Sequence, residues 1–137
     1  MHNVMTNDEH AAGLLAAIAW NDAGLVPCIA QQHDTGEILM MAWMNRDAVE
    51  ETLATQRVCY YSRSRQGLWR KGETSGQQQH LVALRLDCDG DALLALVDQH
   101  GVACHTGRRS CFSWEARDGD WREIAAARVD PATLYGA

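Results

Sequence analysis

Apolar positions recur along this chain with two different periods, and the changes between them divide it into elements. From about Asn7 to Ala19, Ala and Leu fall at helical spacing behind Asn7, Asp8 and Glu9, residues suited to the positive end of a helix. The segment Trp20-Asn21-Asp22-Ala23-Gly24 ends that pattern. Leu25 to Gln31 and Ile38 to Met44 are apolar runs of strand length on either side of His33-Asp34-Thr35-Gly36, a good turn sequence, and together they predict a hairpin. Asn45 is placed to cap a helix over Arg46 to Thr55, where Asp47, Glu50 and Glu51 come early and Ala48, Val49 and Leu53 form the apolar side.

Beyond Gln56 the period returns to two. Strands are expected at Val58 to Ser62, around Leu68-Trp69-Arg70, and from Gln79 to Asp87, where Val82, Leu84 and Leu86 alternate with more polar residues. The apolar run from Ala92 to Val97 is ambiguous by periodicity, and its strand length and position favour a further strand. Gly67, Gly72 and Gly76 punctuate the connections. The sum is a mainly β domain with a few helices, an α+β fold with short connections.

The 137 residues, 47% of them hydrophobic, match one domain, residues 1–137, with a core at about 20–115. No repeat, Ser/Gly-rich stretch or run of one charge marks a linker. The first ten residues are polar and acidic, unlike a signal peptide, and no apolar run approaches the roughly 20 residues that span a bilayer. A cytoplasmic location is expected. Disulfides are disfavoured there, so the five cysteines read as free thiols or metal ligands.

A net charge of -6 argues against nucleic acid or an anionic membrane as partner. The cations are unevenly spread. Arg63, Arg65, Arg70 and Lys71 form one group and Arg108 and Arg109 another, with Thr74-Ser75-Gly76 and Thr106, Gly107 and Ser110 alongside. A few placed cations, hydroxyls and glycines suit a small, multiply phosphorylated ligand; a solvated, salt-bridged surface is the plainer alternative.

Between these groups lies the densest chemistry. Asp87-Cys88-Asp89-Gly90-Asp91, Cys104-His105 and Cys111 interleave soft and hard metal ligands. Cys88, Cys104 and Cys111 lack the close pairing of a zinc finger, and three thiolates without a fourth ligand leave a position open, as catalytic zinc requires; buried free thiols are the alternative. Cys28 and Cys59 sit within apolar strand patterns and read as core. Asp87, Asp89 and Asp91 occupy alternate positions, so on a strand they would share one face and converge on a hard cation such as magnesium. An EF-hand loop is excluded, because Ala92 stands where that loop needs Gly and Asp98 where it needs Glu. On a strand Cys88 would face away from Asp87 and Asp89. Its site would then be completed by Cys104 and Cys111 of a second copy. His105, beside Cys104, is the candidate general acid or base, with a zinc-ligand role open. His2, His10, His33, His80 and His100 have no such neighbours.

The chain resembles the phosphoribosyl-AMP cyclohydrolases of histidine biosynthesis. The resemblance lies in Gly24-Leu25-Val26-Pro27, Met41-Ala42-Trp43-Met44-Asn45, Tyr60-Tyr61-Ser62-Arg63-Ser64-Arg65 and Trp69-Arg70-Lys71-Gly72-Glu73-Thr74-Ser75-Gly76, and continues through Phe112. It implies a compact, two-sheet, pseudo-barrel-like domain in an intertwined homodimer. It also implies zinc on Cys88, Cys104 and Cys111, magnesium on Asp87, Asp89 and Asp91, and hydrolytic opening of the adenine ring of phosphoribosyl-AMP between N1 and C6. The chain is too short for the pyrophosphohydrolase domain fused to some relatives. Base deaminases, which attack similar ring carbons with zinc-activated water, carry HxE and PCxxC motifs that are absent here.

Overall fold

The computed structural model describes residues 7–128, 130 and 132. The segment before Asn7, His2 included, lies outside the described residues. The elements in chain order are α1 (Asn7–Ala16), β1 (Val26–Gln32), β2 (Ile38–Met44), α2 (Arg46–Thr55), β3 (Cys59–Ser62), β4 (Gly67–Arg70), β5 (Gln79–Leu86), β6 (Leu93–Gln99), β7 (Trp114–Arg117) and β8 (Asp120–Glu123).

Six strands form one sheet in the order β4-β3-β2-β1-β6-β5, curled into a half-barrel, and β7 and β8 form a small second sheet. The α+β reading with two sheets holds. All pairings are antiparallel except β1 with β6, where Cys28 to Gln32 run alongside Leu93 to Val97. That parallel seam joins a four-strand meander to the β5–β6 hairpin.

Strand alternation sets the core. Val26, Cys28 and Ala30 of β1, Leu93, Ala95 and Val97 of β6, and Leu39, Met40 and Met44 of β2 are buried, together with Tyr60, Val58 and Cys59. α2 covers this face with Ala48, Val49 and Thr52, and Leu15 and Ile18 at the end of α1 complete it. The Asn45 side chain caps α2 by accepting the Ala48 N–H at 2.8 Å, as its sequence position predicts. The opposite face carries Ile29, paired with both Met41 and Leu94, and Gln31, paired with Ile38 and Leu96. Ile29, Ile38 and Met41 are exposed there.

A polar chain crosses the interior. The Tyr60 hydroxyl donates to Gln79 Oε1 at 2.7 Å, Gln79 Nε2 donates to Gln99 Oε1 at 2.8 Å, and the Gln99 backbone N–H donates to Gln32 Oε1 at 2.9 Å. Every buried side-chain nitrogen and oxygen among the described residues has a partner.

Two boundaries differ from expectation. The first helix stops at Ala16 rather than Ala19, because the Ala19 N–H leaves the helical pattern to donate to the Gly90 carbonyl at 2.7 Å. The strand expected to run through Asp87 stops at Leu86. A third element, the β7–β8 hairpin, was not read from the sequence; Asp118 and Gly119, both at positive φ, make its turn.

Candidate active site

The aspartate run is a turn, not a strand. The Asp87 carbonyl accepts the Gly90 N–H at 3.0 Å, while one Asp87 carboxylate oxygen accepts the Asp89 and Asp91 N–H groups, each at 3.1 Å. Gly90 turns with φ 75°, and a Cβ there would lie 2.8 Å from the Ala17 carbonyl oxygen. The turn is thus clamped against the residues that follow α1.

This overturns the expected alternation. Ligand atoms of Asp87, Cys88 and Asp89 lie within 4.8 Å of one another, so Cys88 does not point away from the carboxylates. Asp91 is not part of that three-residue cluster. The Asp91 carboxyl instead meets that of Asp87, whose hydrogen bond and charge raise its pKa. Local desolvation works against ionisation of Asp87, but the surrounding N–H groups of Asp91, Asp89 and Gly90 and the Asp91 carboxyl outweigh it and lower its pKa.

Cys104 and Cys111 come together elsewhere. They lie on a strap following β6, held by Ala103 N–H to Arg109 O at 2.9 Å, Cys104 N–H to Arg108 O at 3.1 Å and Cys111 N–H to Leu39 O at 2.7 Å. The Thr106 hydroxyl donates to the Cys104 sulfur at 3.0 Å. Burial opposes ionisation of Cys104, yet the Thr106 hydroxyl and N–H, the Cys111 thiol and the Lys71 ammonium bring its pKa below the ordinary value. Cys111 moves the other way, pushed up to about 12 by desolvation and by the negative charge at Cys104. Of the two, Cys104 is the sulfur whose surroundings favour the thiolate and Cys111 the one whose surroundings favour the thiol. Cys88 does not join them within this chain.

His105 is exposed and makes no side-chain hydrogen bond to a described residue. Cys28 and Cys59 are buried in the sheet, and none of the five cysteines is in a disulfide. His80 and His100, which have no ligand-like neighbours in sequence, pack ring edge to face with centroids 5.0 Å apart.

The clustered cations divide by partner. Arg109 donates to Glu37 at 3.1 Å, to the Gln99 and Gly101 carbonyls at 3.1 and 2.6 Å, and to Gln32 Oε1 at 3.0 Å. It is a strut between the strap and the polar chain of the interior. Arg108 bonds the Ala125 carbonyl and pairs with Glu123, tying the β7–β8 hairpin to the strap. Arg70 forms a two-nitrogen contact with Glu51, and Lys71 is buried. Ser110 donates to the Ile38 carbonyl at 2.7 Å, and the Gly107 carbonyl accepts from Arg128 N–H at 2.8 Å. Arg63 stacks over Trp43 at 4.9 Å and Arg65 is exposed, both with guanidinium donors unengaged by described residues.

Thr74, Ser75 and Gly76 follow a turn built on Gly72, whose φ is 81° and where a Cβ would fall 2.4 Å from Gln78 N. A cavity of about 580 Å³ opens here, lined in part by Glu51, Arg57, Arg70, Lys71 and Glu73. Lys71 is the site residue that sequence reasoning placed in the wrong environment: a cation in a polar run gives no signal that it will be buried.

The family model described as phosphoribosyl-AMP cyclohydrolase matches residues 40–113. A phosphoribosyl-AMP cyclohydrolase of Alkalilimnicola ehrlichii is 71% identical over 123 residues, covering 89% of this chain and 86% of that one. One from Granulibacter bethesdensis is 69% identical over 121 residues, covering 88% and 94%. A third, from Rhodospirillum rubrum, is 64% identical over 138 residues, covering 100% and 96%. Each similarity takes in the aspartate turn, the strap and the Trp69 to Gly76 segment.

Proposed function

The chain belongs to the phosphoribosyl-AMP cyclohydrolase family, hydrolases of histidine biosynthesis, and from that premise we propose that it opens the adenine ring of 1-(5-phosphoribosyl)-AMP at the N1–C6 bond. The oxygen of water bonds to C6, the C6–N1 bond breaks, and a proton from water ends on N1. C6 and its exocyclic nitrogen become the carboxamide of phosphoribosylformimino-aminoimidazole carboxamide ribotide.

The observation that carries this reading is the split thiolate set. Cys104, buried, and Cys111, exposed, meet on the strap while Cys88 sits on a separate, exposed turn, so a three-sulfur zinc site needs Cys88 from a second copy. The donor chemistry fits zinc, with soft sulfurs and one thiol already biased to thiolate. Bound zinc would supply acidity to a water, lowering its pKa toward about 7 as in known zinc sites. Asp87 and Asp89 offer oxygens beside Cys88 for magnesium, with Asp91 close enough to Asp87 to join by rotation.

The chain's own residues do the rest. In this reading His105, exposed beside Cys104 and unbonded to described residues, takes a proton from the attacking water and passes it to N1. Arg63 and Arg65 are the clustered cations with donors left for phosphate, and Thr74, Ser75 and Gly76, in the turn after β4, add hydroxyls and an open backbone. Arg108, Arg109 and Ser110 already bond Ala125, Glu37 and Ile38 and so shape the strap, which leaves Arg63 and Arg65 as the freer cations.

A homodimer follows from the same split. The sheet face bearing Ile29, Ile38, Met41, Leu94 and Leu96 is apolar and is covered by no described element, which suits a second copy. Free thiols throughout suit the cytoplasm. No described helix is long and apolar enough to cross a membrane.

The test uses ultraviolet absorbance, since ring opening changes the chromophore. The intact protein with zinc and magnesium is expected to change the spectrum of phosphoribosyl-AMP; an unchanged spectrum refutes the activity. Cys88→Ser and Cys104→Ser are each expected to be inactive, and mixing them should restore about a quarter of full activity, since half the dimers are mixed and each holds one intact site. No rescue on proven subunit exchange would rule out a shared site.

A further inference from the structure

Lys71 poses an electrostatic problem inside one chain. Its side chain is 7% exposed, it follows β4, and its backbone N–H is fixed to the Val58 carbonyl at 3.1 Å. The ammonium lies 5.4 Å from the Trp69 ring centroid and donates to the Ala103 carbonyl, one residue before Cys104. Among the described residues no carboxylate forms an ion pair with it. A buried ammonium with only a carbonyl and a ring face as partners is costly unless a negative charge stands near. Burial lowers the pKa of Lys71, and the nearby Cys111 and Cys104 sulfurs oppose that shift by favouring the ammonium.

A zinc ion with three thiolates has a formal charge of -1, which weakens zinc as a Lewis acid. His105, the other basic residue beside Cys104, is exposed, where water screens any charge. Lys71 is buried on the protein side of the strap, where screening is slight.

We infer that Lys71 is the fixed counter-ion of the Cys104–Cys111 pair: through Ala103 it positions the strap, and its charge brings a three-thiolate centre to neutrality. The inference rests on the zinc reading above. Lys71 touches no reacting atom; it is a positioning residue acting through the thiolates. It also changes the assignment of the Arg70-Lys71 pair, since only Arg70 of the two lies at the surface.

Two variants test this, Lys71→Met, which keeps the length and removes the charge, and Lys71→Arg, which keeps the charge. Zinc affinity is measured by chelator competition, alongside thermal unfolding of the metal-free protein and steady-state kinetics. Replacing a buried cation by an apolar side chain should leave the metal-free melting temperature unchanged or higher. Zinc affinity should nonetheless fall about ten-fold or more, because zinc in place of three thiol protons leaves the site one unit more negative, a change that a nearby cation favours on this scale at an effective dielectric of about 20. Turnover should fall with KM little changed, and Lys71→Arg should recover most of the zinc affinity. The inference is overturned if Lys71→Met binds zinc within about two-fold of the unaltered protein, or if it loses zinc only in step with a lowered melting temperature. If the unaltered protein binds no zinc, the metal reading fails and takes this one with it.

Discussion

Gln79→Leu is the substitution that weighs most directly on the interior polar chain. Gln79 is fully buried; it accepts from the Tyr60 hydroxyl and donates to Gln99 Oε1, with Met40 sulfur as a third, weaker contact at 3.3 Å. Leucine has nearly the same volume, so the main effect is two polar groups left without partners. Tyr60 is itself 0% exposed and has no route to water. At about 1–3 kcal/mol for each orphaned group, less about 1 kcal/mol from the added apolar burial, the net loss is about 1–5 kcal/mol. For a chain of this size that lowers the melting temperature by about 3–17 °C. The assay is denaturant unfolding of the metal-free protein, with Tyr60→Phe and the double variant to close a cycle. Tyr60→Phe removes the stranded hydroxyl, so the double variant should cost at least about 1 kcal/mol less than the sum of the singles. Strict additivity, or a loss under about 0.5 kcal/mol for Gln79→Leu, would refute the view that this chain of side chains is a stabilising unit.

Gly72→Ala should cost about 3 kcal/mol or more in chemical unfolding, because its φ of 81° is strained for Ala and the new Cβ meets the backbone at Gln78; a loss below about 1 kcal/mol would contradict that. The hydrogen bond from Arg70 lowers the pKa of Glu51 despite opposing desolvation, so this contact stabilises above the ordinary carboxylate range and its contribution is lost as pH falls through the lowered value. Glu51→Gln should therefore unfold at a lower denaturant concentration at pH 7 by about 0.5–1 kcal/mol, a gap that closes under acid; an unchanged gap in acid refutes the assignment. Burial pushes the Cys28 and Cys59 thiols up to about 12, so peptide mapping after iodoacetamide at pH 8 should find Cys88 modified and these two intact. Comparable labelling of all three would overturn their placement.

What the sequence disclosed, and what it withheld, follows from the range of the interactions involved. The Asn45 cap, the β1–β2 hairpin and the buried Cys28 and Cys59 depend on neighbours a few residues away, and all were readable. The end of α1 was not, because it is decided by Gly90, some seventy residues distant. In the aspartate run a strand period competed with turn composition; three aspartates around Gly90 are turn residues, and that signal should have prevailed. The β7–β8 hairpin had its own signal in Asp118-Gly119, flanked by the alternating Trp114 and Trp121 sides. For the site, residue types were legible but environments were not. Whether Arg109 meets Glu37 and Gln32, or phosphate, is a question of tertiary partners that spacing does not encode.

The parallel seam between β1 and β6 also bears on the order in which this chain acquires its shape. The β1–β4 meander and the β5–β6 hairpin each need only nearby pairings, whereas Cys28 finds Leu93 across nearly half of the chain. Contacts of such sequence separation slow folding, and closing a long loop must precede any reward from the pairing. On a ribosome, β1 waits with one edge open until β6 has emerged. The strap of Cys104 and Cys111 comes later still, and its attachment to Gln99, Gln32 and Leu39 presupposes a closed seam. The Cys104–Cys111 pairing is thus among the last features the nascent chain gains, and in half-made molecules the two thiols stand apart.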